Sequence, residues 1–142
     1  MESDQNRENR ENDINRLVYL QAAYTQQYEI LSNELATYSI AQQSLLKNID
    51  MLENYSKIVN SKMLVNTGSI LFEATAGKFE KVLVYVGAGY AVEKTVDEAK
   101  EFLKKNEKET ADTIERLIKE RNKIEQTLLE IGYDLNILQG RG

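Results

Sequence analysis

The run Gly87-Ala88-Gly89 is the first place to look for chemistry, because closely spaced glycines let backbone N–H groups converge on a phosphate. A dinucleotide fingerprint also needs a third glycine and a helix directly after it. Position 92 is valine and Tyr90–Glu93 reads as strand, so the run is expected to be a hairpin turn. Other reactive groups are scarce. The 142 residues include no His and no Cys, which removes the commonest general base, the commonest metal ligand, the thiol nucleophile and any disulfide. Twenty-three acidic and 18 basic side chains give a net charge of −5. The carboxylates fall in charge runs that read as solvated helix faces, so no enzyme, metal site or cofactor is expected. A nucleic-acid partner would call for a basic excess, and the acidic balance argues against one.

What remains is packing. Hydrophobic residues make up 42 % and charged ones 29 %, enough for a core in a chain of single-domain length, 1–142. There is no proline, which permits long uninterrupted helices. No stretch approaches the roughly 18 apolar residues of a membrane span. The opening MESDQNRENREND lacks the apolar core of a signal peptide. The expectation is a cytoplasmic chain with no membrane partner, whose residues 1–13 form a disordered or fraying tail. Asp13 could cap the helix that follows.

Residues 14–60 are expected to form one helix. Leu17, Gln21, Tyr24, Tyr28, Leu31, Leu35, Tyr38, Gln42, Leu45, Ile49 and Leu52 step alternately by four and three, with Ile14 and Val59 in the same frame. This is a heptad seam, and at about 1.5 Å per residue the arm would be roughly 70 Å long. Gln21 and Gln42 are polar seam residues that set register at some cost in stability. The seam tyrosines read as core rather than as a stacking platform. Residues 95–139 repeat the pattern through Ile114, Leu117, Arg121, Ile124, Leu128, Ile131, Leu135 and Leu138, with Val96, Leu103 and Thr110 upstream. Nineteen of these 45 residues are charged, as a solvated outer face requires. If residues 60 and 95 start level, Arg121 lies opposite Glu34 in an antiparallel pair.

Between the arms, residues 61–94 change to β-branched and aromatic runs split by glycines. Strands are expected near 63–66, 69–74, 80–86 and 89–93. Val82, Val84 and Val86 share one face and Leu83 and Tyr85 the other, so both faces ask for burial. Four such strands cannot close a core alone, and their open edges invite another chain. The fold class expected is therefore mainly α with a small β part: a long antiparallel two-helix coiled coil connected by two β-hairpins that oligomerise into a β-barrel body.

At the far end of the arms the apolar residues exceed what a two-helix seam needs. Val18, Tyr19 and Leu20 flank Leu17, while Leu129, Tyr133 and Ile137 flank Leu128 and Leu135. Two readings stand. The surplus either forms an exposed interaction surface or packs the two ends together. Gly132 in mid-helix loosens this region by about 1 kcal/mol relative to alanine.

The order helix, two hairpins, helix, together with VYVGAGYAVEKTVDEAKEFL at residues 84–103, resembles the alpha-class subunit of prefoldin, a cochaperone. The local match runs through Val86-Gly87-Ala88-Gly89-Tyr90-Ala91-Val92-Glu93 and Asp97-Glu98-Ala99, and Met63-Leu64-Val65 stands at the family's first strand. Beta-class subunits have one hairpin, so two point to alpha. In the first hairpin, where the family often has a proline and a Gly-Ala-Gly turn, this chain reads Val65-Asn66-Thr67-Gly68-Ser69.

The resemblance implies a hexamer of two alpha and four beta subunits whose hairpins join in β-barrels. It also implies coiled-coil tips that hold non-native client proteins without ATP and deliver them to a group II chaperonin. Carried onto this chain, the client-binding tips would comprise Ile14, Leu17, Val18, Tyr19, Leu20, Leu128, Leu129, Ile131, Tyr133, Leu135 and Leu138. The assembly residues would be Leu64, Val65, Ile70, Phe72, Val82, Val84, Val86, Tyr90 and Val92. The rival reading is a structural scaffold or filament subunit that assembles through the same hairpins.

Overall fold

The structure is a computed structural model that describes residues 3–140. The elements follow in the order α1 (Asp4–Glu53), α2 (Tyr55–Ile58), β1 (Lys62–Asn66), β2 (Leu71–Thr75), β3 (Lys81–Gly87), β4 (Tyr90–Thr95) and α3 (Val96–Leu138).

Helix α1 begins at Asp4, well before the expected start at residue 14. The correction has a local cause. Ser3 caps the helix, its Oγ accepting from Asn6 N–H at 3.3 Å and its carbonyl from Arg7 N–H at 3.1 Å. The straight-chain residues that follow, Gln5, Arg7, Glu8, Arg10 and Glu11, are good helix formers that continue a capped helix without burying anything, and residues 3–13 are all exposed. Met1 and Glu2 of the expected tail lie outside the described residues. At its other end α1 stops at Glu53 rather than running to 60. Asn54 turns back, donating from Nδ2 to the carbonyl of Asp50 at 2.9 Å, and only the short α2 follows. Asn60 then takes a left-handed backbone (φ 62°), a conformation asparagine tolerates, and its N–H donates to the carbonyl of Ala76 at 2.7 Å.

The strands form two separate two-stranded antiparallel sheets, β1 with β2 and β3 with β4. In the first, Lys62 pairs with Thr75 and Asn66 with Leu71. The side chain of Asn66 accepts from Gly68 N–H at 2.8 Å, and Gly68 sits at φ 99°. The loop that follows, closed by Thr67 N–H donating to the carbonyl of Ile70 at 3.1 Å, takes up residues 69 and 70, which the expected second strand had included. In the second sheet, Lys81 pairs with Thr95 and Val84 with Val92, and the register shifts between Tyr85 and Gly87. Ala88 and Gly89 both have positive φ, as a two-residue type I′ hairpin turn needs. The glycine run is thus a turn. Helix α3 opens on Thr95, whose Oγ1 accepts from Glu98 N–H at 3.2 Å, and ends where Gly140 (φ 72°) donates to the carbonyl of Ile137.

Helices α1 and α3 contribute to two compact units. The proximal unit is Ile40–Ala111; the distal unit comprises, among the described residues, 3–39 and 112–140. In the proximal unit the helices are antiparallel, since Gln42 meets Glu107 and Glu53 meets Lys104. Its core is Leu52, Val84 and Ala99, with Val82, Val96, Phe102 and Leu103 packed around them. Hairpin β3–β4 therefore closes one side of the helix pair. Ala99 is fully buried, and only a small side chain lets the strand approach the helix this closely. Beside this core the Tyr55 ring meets Phe79 edge-on at 4.7 Å, and its hydroxyl donates to the carbonyl of Phe79.

In the distal unit the buried residues are Leu35, Leu117, Ile131 and Leu135, all seam positions. Arg121 does not face Glu34. Its guanidinium lies over the ring of Tyr28, 5.7 Å from the centroid. The pairing is offset because α1 ends at Glu53, so residues 60 and 95 do not start level.

Candidate functional site: two exposed apolar surfaces

Among the described residues the distal unit has two helices and no third layer. A helix pair covers its a and d positions and leaves every other side chain outward. Of the eleven expected tip residues, Ile131 and Leu135 are buried in the seam, and Ile14, Leu17, Leu20, Leu128 and Leu138 are half-buried flanks. Val18, Tyr19, Leu129 and Tyr133 are exposed, Tyr19 to 74 % and Leu129 to 64 %. Ile137, on the same unit, is exposed as well. The eleven residues of the expected tips thus differ in their exposure. The seam takes Ile131 and Leu135, and the accessible patch is narrower. Val18, Leu128, Leu129, Tyr133 and Leu135 line a shallow open groove whose floor passes Gly132. A Cβ at Gly132 would meet nothing within 4 Å, so no close contact requires the glycine there.

The proximal unit offers the second surface. Leu64, Ile70, Phe72, Val86, Tyr90 and Val92 are exposed on the hairpins, and Val65 is half-buried. Val82 and Val84 were expected among the assembly residues but pack inward, Val84 with 8 % exposure in the core. The alternation of β3 explains the exchange. One face had to turn to the helices, and the valine face fits against Leu52 and Ala99, which leaves Leu83 and Tyr85 outward at 71 % and 83 %. Reasoning from sequence missed these two, along with Met63 and Leu71. The signal was present as apolar residues on both faces of β3, but a period of two does not say which face turns inward. Val86 shares the valine face by parity, yet the register shift after Tyr85 releases it to solvent. Each two-stranded sheet also leaves an unpaired edge on both strands.

The charged groups are structural. Lys104 reaches Glu53 across the proximal helix pair at 2.8 Å. That hydrogen bond, and then the charges of Lys104 and Lys100, hold the Glu53 carboxyl below its usual 4.5. Arg116–Glu120 and Glu115–Lys119 are pairs one turn apart on exposed α3. Among the described residues no group of three His, Cys, Asp or Glu side chains could hold a metal ion, and no helix is long and apolar enough to cross a membrane.

Comparison with known proteins supplies the lineage. The profile of the prefoldin subunit family matches residues 24–141. Prefoldin subunit alpha of Pyrococcus horikoshii is 32 % identical over 108 residues, covering 73 % of this chain and 72 % of that one. The alpha subunit of Thermofilum pendens is 37 % identical over 86 residues, covering 61 % and 64 %. A filamentous PFD from Methanocaldococcus jannaschii, solved by cryo-EM, superposes with a TM-score of 0.52 at 25 % identity, over 90 % of this chain and 99 % of that one. With two long helices, two hairpins between them and alpha subunits as relatives, the chain belongs to the prefoldin family and is of its alpha type.

Proposed function

We propose that this chain is a subunit of an ATP-independent chaperone that holds non-native proteins on the exposed apolar patch of its distal unit. Prefoldin is a chaperone family, which supports the general reading. The observation that carries the specific one is that Val18, Tyr19, Leu129, Tyr133 and Ile137 stay exposed on a unit with no further layer to cover them. Surface of this kind, flanked by charged and amide side chains, suits weak contact with unfolded chains. In the proposed assembly, a hexamer of two alpha and four beta subunits with a β-barrel body, several such patches bind one client. Each contact is weak and reversible, and together they gain avidity through effective concentration. Release to a group II chaperonin in the cytoplasm then needs no fuel. The outward residues of the hairpins, Leu83 and Tyr85 among them, would supply the subunit contacts.

The test is to replace Tyr19, Leu129, Tyr133 and Ile137 together with serine and assemble the variant with a beta-class prefoldin subunit. Assembly mass by light scattering should stay the same, because the changes lie outside the hairpins. Suppression of aggregation of a chemically unfolded protein should fall several-fold. Undiminished suppression would overturn the holding role.

A second reading has its own support. The M. jannaschii relative is a filamentous PFD, and this chain's strands carry unpaired edges. In that reading the chain is a scaffold subunit that polymerises through its hairpins. Electron microscopy of the purified chain, alone and with a beta-class partner, separates long polymers from discrete particles.

A further inference from the structure

The two hairpins of the proximal unit are held in different ways. Hairpin β3–β4 sets its valine face into the core of Leu52, Val84 and Ala99. Hairpin β1–β2 lies outside that core. No side chain of residues 59–76 is buried, and Val59, Ser61, Val65, Ala74 and Ala76 are half-buried at most. The base of the hairpin closes on itself, where Asn60 N–H donates to the carbonyl of Ala76 at 2.7 Å and Ala76 N–H to that of Ser61 at 3.2 Å. Those bonds hold its strands together but leave its direction open, because a two-stranded ribbon without a packed face has little to fix it. A side-chain contact joins the chain before this hairpin to the chain after it. Tyr55 in α2 meets Phe79 edge-on, with ring centroids 4.7 Å apart, and its hydroxyl donates to the Phe79 carbonyl. Edge-on rings attract at that separation, and the hydroxyl bond fixes their orientation. Both residues are half-buried and line a cleft with Leu52, Thr95 and Val96, at the margin of the core.

We infer that Tyr55 is a positioning residue for assembly: its contact with Phe79 closes residues 55–79 into a loop and sets the direction in which hairpin β1–β2 leaves the proximal helix pair. The inference rests on the reading, proposed above, that subunits meet through the hairpins. A chain that offers two hairpins makes two contacts with its neighbours, and the angle between them decides whether an assembly closes or grows without end. Hairpin β3–β4 is fixed by the core. The angle therefore depends on hairpin β1–β2, and through it on Tyr55.

The first measurement needs no partner. The chain has no native cysteine, so spin labels at Ser69→Cys, between β1 and β2, and Glu101→Cys on α3, both exposed, report the direction of the hairpin in the full-length chain. One narrow distance is expected with Tyr55 in place. Tyr55→Ala should broaden it into a range of distances, and Phe79→Ala should do the same. The double variant should be no broader than either single change, because both remove one contact. Tyr55→Phe keeps the rings, loses the hydroxyl and should fall between. Amide exchange of residues 81–87 and 96–103 should stay at the wild-type rate, which general loosening of the unit would not give. An unchanged distance in Tyr55→Ala, or an equally broad one in the unaltered chain, would overturn the inference. The second measurement mixes each chain with a beta-class prefoldin subunit and reads mass by light scattering and shape by electron microscopy. The wild-type complex should have one defined form, and Tyr55→Ala should scatter it into mixed sizes and shapes. A broadened hairpin with the wild-type mass and shape would overturn the role in assembly. If the wild type forms no complex with the partner, the assembly reading fails and that role with it, while the label distances still decide whether the contact directs the hairpin.

Discussion

The two units solve the same problem, a seam between two helices, with different resources. In the proximal unit, hairpin β3–β4 lies against the pair, so Leu52 and Ala99 have walls on three sides. The polar seam residue there, Gln42, has a partner in Glu107. The distal unit has helices alone. Leu35, Leu117, Ile131 and Leu135 are about as well shielded as Leu52, yet the seam residue Arg121 rests over the ring of Tyr28, and large apolar side chains stand outward on both helices. The contrast teaches where a coiled coil keeps stability and where it gives it up. A third layer allows complete burial, whereas a bare pair buries a stripe and leaves the remainder available for contact.

The strongest way to break that comparison is to delete matched leucines. Leu52 and Leu135 are nearly equally buried, at 5 % and 6 % exposure. Leu52→Ala opens a cavity with strand and helix walls that cannot all collapse, and should cost about 3 kcal/mol. Leu135→Ala leaves a gap between two helices that can close on it, and should cost about 2 kcal/mol, at the low end for such changes. Local amide exchange in each unit reads the two costs separately. Equal losses would mean that the hairpin adds no rigidity and that the units differ only in exposed surface.

A smaller effect sharpens the comparison at its polar layers. Gln42→Ala removes the bond to Glu107 and should destabilise the proximal unit by about 1 kcal/mol. The distal change Arg121→Leu stabilises, because it removes a shielded Nε that has no hydrogen-bond partner among the described residues. Opposite signs at two polar positions of one seam are the expected outcome, measured by exchange or by denaturant titration. If Gln42→Ala also stabilises, the Gln42–Glu107 bond is no better than an unpaired group, and the two layers are alike.

Much of this architecture is legible in residue spacing, because a heptad has a simple geometric consequence. Every α1 seam position from Leu17 to Leu52 is buried or half-buried apart from Tyr38, and all eight of the clearest α3 positions are likewise covered. The two hairpins were legible from their glycines and β-branched runs. The ends and offsets were not. Ser3 as a cap, Asn54 as a break and Asn66 as an Asx turn are single side-chain hydrogen bonds, and no periodicity announces them. The offset of Arg121 from Glu34 follows from the Asn54 break, so one missed turn moved the pairing. The candidate surfaces fared likewise. Surplus apolar residues marked both regions, but which of them face out depends on packing: Ala99 draws Val84 inward, and that choice sends Leu83 and Tyr85 out.

The smallest expected effect concerns the ion pair that ties the proximal helices, Lys104 with Glu53. The carboxyl of Glu53 ionises more readily in the folded chain than in the unfolded one, chiefly through its hydrogen bond from Lys104. A depressed carboxylate contributes stability that is present above its unfolded value and is lost as pH falls through its folded value. Glu53→Gln should therefore lower the melting temperature slightly near neutral pH. The difference from wild type should shrink as pH falls below the usual 4.5 and vanish once the carboxyl is protonated in both states. Both side chains are about half exposed, so added salt should reduce the neutral-pH difference as well. A difference that persists in strong acid, or that salt leaves untouched, would show that Glu53 acts through its packing at the end of α1. The proximal unit would then owe its closure to the hairpin core and the Gln42 layer without help from charge.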